Sequence, residues 1–164
     1  MRWLLYTPFA DVFMALVVVL FTKWVHSQGT DLTTELRSTG KAVVEATVSR
    51  INLLTERSRD LLTDFRFIRR IAWVETRDGT DQSTYSDPNY HGGIWRVDRS
   101  VYDTTMRMFS NARYAFIFDD IETLLGINWS QTTWEDCRRP LYSALAARLY
   151  FHDLQPVIPQ VSWC

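Results

Sequence analysis

The residues from Phe65 to Asp98, FRFIRRIAWVETRDGTDQSTYSDPNYHGGIWRVD, constrain this chain most. They join a helical period ending in a carboxylate to a polar loop and a short apolar run ending in a second carboxylate. Asp64 is a good N-cap, and Phe67, Ile68, Ile71, Ala72 and Val74 then fall close to helical spacing. Glu75 lies eight residues after Phe67 and four after Ile71, so it continues the apolar stripe and not the charged face of Arg66, Arg69 and Arg70. A carboxylate in that register is expected to be buried at the floor of a cleft. Desolvation would then raise its pKa, as a general acid working near neutrality requires. The competing explanation is an ion pair with Arg69, Arg70, Arg77 or Arg96 that holds the loop, since such networks also bury carboxylates.

The loop from Arg77 to Gly93 is dense in Asp, Gly, Ser, Thr, Pro and Asn, which means turns and an exposed, shaped rim. Gly92 and Gly93 allow close backbone approach before Ile94–Val97, which reads as a strand, so a short strand or hairpin is expected within 84–97. Asp98 closes that strand and stands where it would cap a helix over 99–109.

Apolar periodicity predicts further helices over 41–57, 113–125 and 135–151, besides 64–76 and 99–109. Gly40 limits the first, Gly126 is a candidate C′ residue for 113–125, and Pro140 falls early in the last. Pro156 and Pro159 leave the tail from Leu154 to Cys164 extended. The expected fold class is mainly α, a helical bundle with a small strand or hairpin beside the cleft.

The first 27 residues read as an export signal, with Arg2, an apolar run from Phe13 to Phe21 and a cleavage position after Ser27. The alternative is a membrane anchor over 12–25, but Pro8 and Asp11 interrupt the longer apolar run, leaving it short of the roughly 20 residues a span needs. The division expected is 1–27 signal, 28–59 helical extension, and 60–164 main domain, secreted and with no membrane contact after cleavage. The formal charge of −1 becomes −2 once Arg2, Lys23 and Asp11 are removed, which argues against a nucleic-acid partner. Cys137 and Cys164 do not make a disulfide framework or a zinc motif, and pairing between them stays open. His26, His91 and His152 are too scattered for a metal site, no Ser/His/Asp nucleophile motif is present, and no cofactor is implied. Asn128-Trp129-Ser130 is an N-glycosylation sequon, although Trp129 and Trp134 also suit the core.

The blocks E-T-R-D-G at Glu75–Gly79 and G-G-I-W-R-V-D at Gly92–Asp98 resemble the lysozyme superfamily, in particular goose-type lysozymes and the related lytic transglycosylases. Those proteins carry a catalytic Glu at a helix end and, about two dozen residues later, a G-L-M-Q-V-D-like strand; here Glu75 and Asp98 are 23 residues apart. The chain also resembles lysozyme-like proteins of aquatic invertebrates with Y-V-E-T-R-D-G-T-D, G-G-I-W-Q-V-D and W-x-D-L-R-K-P-L-Y-S-G-L-A-A-R-L blocks, the last matching Trp134–Leu149. The resemblance covers about residues 60–151. It implies a secreted hydrolase cutting β-1,4 bonds of peptidoglycan or chitin-like polysaccharide, in defence or digestion. Glu75 would be the general acid, and Asp98 or Asp87 would hold water. Tyr85, Tyr90, His91 and Trp95 would stack on sugar faces, with Arg96 beside them. Arg96 departs from the family's Gln, and a cation there would oppose the protonated state of Glu75. A catalytically silent glycan- or partner-binding protein is the alternative.

Overall fold

Five α-helices form close to where the apolar period predicts them, in a computed structural model that describes residues 30–57, 65–86 and 90–154. They are α1 (Lys41–Arg57), α2 (Phe65–Thr76), α3 (Arg99–Phe109), α4 (Ala115–Leu125) and α5 (Pro140–Leu154). The chain divides into a unit of residues 1–31 and a unit of residues 32–164, and the five helices belong to the second. The expected signal or anchor, the Asp64 cap and residues 155–164 of the expected extended tail lie outside the described residues, while Leu154, expected in that tail, is the last residue of α5. Among the described residues no helix is long and apolar enough to cross a membrane.

Helix α5 is the centre of the packing. Ten of its fifteen residues are buried, with Ala144, Ala146 and Ala147 letting neighbouring backbones approach while Leu141, Leu145 and Leu149 fill the core. Helix α1 lays Val44, Val48, Ile51 and Leu54 along one side, at the spacing that keeps residues on one helical face, and packs against α2, α4 and α5. Helix α1, which falls within the stretch expected as an extension, therefore shares its core with the helices that follow it. Each fully buried Leu or Ile in this cluster contributes roughly 1.5–3 kcal/mol. Gly126 ends α4 in the left-handed conformation expected of a C′ glycine.

Two expectations need correction. The last helix starts at Pro140 and not near 135: Trp134–Arg138 forms a separate 3₁₀ turn, whose Asp136 carboxylate accepts the Thr133 N–H at 2.8 Å. Proline suits the first helical position because its missing N–H has no intrahelical partner there. The expected strand at 94–97 is a pair of overlapping turns, and no strand occurs among the described residues. Gly92 and Gly93 have φ of 82° and 77°, and Arg96 follows at 46°. A Cβ on Gly92 would sit 1.8 Å from the Val97 carbonyl oxygen, and one on Gly93 would sit 2.1 Å from that of Cys137. The backbone folds back on itself where a strand would have run on.

Candidate functional site

The turn after α2 is a clamp. Arg77 and Asp78 both take positive φ, and Asp78, buried, accepts two hydrogen bonds from the Arg69 guanidinium at 2.6 and 2.9 Å. The Thr76 hydroxyl donates to the Ile94 carbonyl at 2.8 Å and accepts the Gly79 N–H at 2.9 Å, which ties the E-T-R-D-G block to the G-G-I-W block. From the other side, the Ser143 hydroxyl of α5 donates to the Gly92 carbonyl at 2.7 Å and accepts the Trp95 N–H at 3.2 Å. Trp95 donates its ring N–H to the Ile68 carbonyl at 2.9 Å, and Trp134 donates to that of Val97 at 2.7 Å. Thr76, Asp78, Gly79 and the two glycines thus have structural explanations.

These contacts leave a cleft of about 480 Å³. Ile71 and Glu75 of α2 form one wall, His91 and Trp95–Asp98 another, and Val101 of α3 with Ala147, Tyr150 and Phe151 of α5 complete the lining. An edge-on contact between Phe67 and Phe151, centroids 5.1 Å apart, holds α2 against α5 beside it.

Glu75 is in this cleft but is not buried: its side chain is 41% exposed. The fully buried row of α2 is Ile68, Ala72 and Thr76, one residue on from the half-buried row of Phe67, Ile71 and Glu75. A step of one residue turns a helix by about 100°, which moves the carboxylate from the floor to the wall. Val74, assigned to the stripe, is 77% exposed. Of the four arginines considered as partners, Arg96 approaches Glu75, with Nε 3.9 Å from Oε2, and its NH2 group lies 3.4 Å from the Ser83 hydroxyl.

Asp98 is the N-cap residue of α3, yet its side chain makes no capping hydrogen bond. It lies instead 3.2 Å from Nδ1 of His91. Asp87 lies outside the described residues.

The aromatic platforms expected from the loop are arranged otherwise. Trp95 lines the cleft but is only 3% exposed, held in the core by its ring N–H. Tyr90 is buried between Trp134, centroids 4.9 Å apart, and the Arg138 guanidinium, 3.9 Å from its ring centre. Tyr85 turns away to donate to the Ser38 carbonyl at 3.1 Å. Burial pushes the hydroxyl pKa of both tyrosines up. Tyr150 and Phe151 take their place at the cleft, and the only sequence signal for them was aromatic character at the end of a helix.

At the sequon, Asn128 is engaged as a cap. Its Oδ1 accepts from the Ser130 N–H at 3.1 Å and hydroxyl at 2.6 Å, and its Nδ2 donates to Glu122 at 3.3 Å. Cys137 is buried, which pushes its thiol pKa up, and Cys164 lies outside the described residues. No protein-family model, curated protein or solved structure matches this chain.

Proposed function

We propose that this protein is an exported lysozyme-like glycoside hydrolase, cutting β-1,4 bonds of peptidoglycan or a chitin-like polymer, with Glu75 as the general acid. The observation that carries this reading is the contrast within one motif. Thr76, Asp78 and Gly79 hold the turn together, whereas Glu75 makes only the long 3.9 Å approach to Arg96 and presents its carboxylate to the cleft. The reading takes the helices around the cleft as a lysozyme-like arrangement, with the Gly92–Asp98 turns standing where the family has a strand. Glu75 would protonate the glycosidic oxygen, and Asp98, lining the same cleft, would serve the attacking water. An inverting reaction asks for carboxyl groups about 6.5–9.5 Å apart, so that water fits between base and sugar. Val101, Tyr150 and Phe151 supply apolar surface for sugar faces.

Arg96 favours a second reading, a silent glycan binder, because its guanidinium stands in the cleft beside Glu75, where it would occupy space that a sugar needs. The pair is half-exposed and its 3.9 Å separation is long, so solvent screens it. One assay separates the readings: turnover of bacterial walls and chitooligosaccharides by the wild type, Glu75→Gln and Arg96→Gln. Glu75→Gln is expected to lower turnover by about 10²–10⁴-fold with the fold intact. Arg96→Gln is expected to raise it. Wild type and Arg96→Gln both inactive, with sugar binding intact by calorimetry, would leave the binder.

A further inference from the structure

His91 and Asp98 are paired across the mouth of the cleft, with Nδ1 to Oδ1 at 3.2 Å, and both are mostly exposed, at 56% and 61%. Asp98 stands at the N-cap of α3, where its carboxylate would ordinarily accept a backbone N–H of the first turn, and it makes no such bond. The local use of this carboxylate has been given up in favour of the imidazole. Among the described residues His91 has no other hydrogen-bonding partner. Its backbone is fixed by the neighbouring Gly92 carbonyl, which accepts the Ser143 hydroxyl at 2.7 Å. An ionised Asp98 on Nδ1 selects the tautomer with the proton there, which leaves the Nε2 lone pair as an acceptor.

On the glycosidase reading above, we propose that His91 takes the proton from the attacking water and that Asp98 is the positioning residue behind it. The water oxygen bonds to the anomeric carbon as the glycosidic C–O bond breaks. The proton of water passes to Nε2, and the leaving oxygen takes the proton of Glu75. Exchange with solvent then returns a proton to Glu75 and removes one from His91, so water and the glycoside give two hydroxyl products. The charged and titratable groups that share the cleft with His91 are Glu75 on α2, Arg96 and Asp98 on the turns and Tyr150 on α5.

The test is the pH profile of kcat/KM on cell-wall polymer for wild type, His91→Ala, His91→Gln and Asp98→Asn, with melting curves to confirm folding. The wild-type profile is expected to carry one limb that belongs to His91. His91→Ala is expected to lose about 10²-fold or more in turnover together with that limb, and added imidazole should restore part of the rate. His91→Gln keeps the side chain's bulk and its bond to Asp98 but accepts no proton, so it should show the same loss should the alanine variant fail to fold. Asp98→Asn should slow turnover and keep the imidazole limb. Near-normal turnover in both His91 variants beside an inactive Asp98→Asn would overturn the inference and leave the glycosidase reading, with Asp98 as the base. An inactive wild type would overturn both.

Discussion

Arg77 is held in the left-handed region, φ 50°, and its exposed side chain makes one loose contact, 3.8 Å to Asp81. A non-glycine residue there carries roughly 1–2 kcal/mol of steric cost, while an exposed ion pair returns at most about 1 kcal/mol. Arg77→Gly keeps the backbone bonds of the turn, from its N–H to Trp73 and from Thr80 to its carbonyl. It is therefore expected to stabilise the protein by about 0.5–1 kcal/mol after the added unfolded-state entropy of glycine, read as a higher midpoint in urea. An unchanged or lower midpoint would show that the positive φ is not strained. Arg96 carries the same backbone conformation, φ 46°, but its side chain reaches into the cleft, so there the strain coincides with the site. At this scale the sequence located Glu75 in a cleft, because its register on the helix follows Phe67 and Ile71. It did not give the depth, since a one-residue rotation separates the wall from the floor. Nor did it show which way Tyr85 and Tyr90 turn, because a polar loop has no period from which to read direction.

Helix positions were legible and the turns at Gly92–Asp98 were not, for a physical reason. A helix declares itself over ten or more residues of 3.6-residue period, whereas Ile94–Val97 offers four residues that suit a strand or a buried turn equally. What decides between them is the close approach of Gly92 and Gly93 to other backbone, together with Ser143, 48 residues beyond Trp95 in sequence. Ser143→Ala removes both bonds of that hydroxyl, leaving the buried Trp95 N–H without its partner and the Gly92 carbonyl with the longer bond from the Val97 N–H at 3.4 Å. The expected cost is about 1–3 kcal/mol, measured by chemical denaturation. Because α5 also supplies Ala147, Tyr150 and Phe151 to the cleft, loosening of the turn should appear in the cleft as well, as faster amide exchange at Trp95–Asp98. Exchange protection unchanged at those amides would mean that the turns hold their shape without α5.

Over the whole molecule, the core shared by all five helices also buries groups that ionise at alkaline pH. Burial raises the thiol pKa of Cys137 from its ordinary value of 9.0, with the nearby Asp136 and Glu135 acting in the same direction, so the folded protein keeps this group neutral where the unfolded chain ionises. Above pH 9 the folded state therefore binds more protons than the unfolded state, and stability falls as pH rises. The loss starts near the unfolded value and is on the order of 1 kcal/mol by pH 10 for this one group. Half-buried Tyr85 and buried Tyr90, both raised from 10.0 by desolvation, extend the loss to higher pH. Arg148 works against it only from its lowered value of about 10 upward. Urea unfolding at pH 7, 8, 9 and 10 in a Cys164→Ser background should show the decline, and adding Cys137→Ala should remove most of it below pH 10 at the expense of some packing at every pH. The same burial makes the thiol inert, because the thiolate is the nucleophile. In that background a thiol reagent at pH 8 should label Cys137 only at the rate at which the core opens. Rapid labelling of the folded protein would mean that Cys137 is reached from solvent, and the alkaline instability would then have to originate elsewhere in the core.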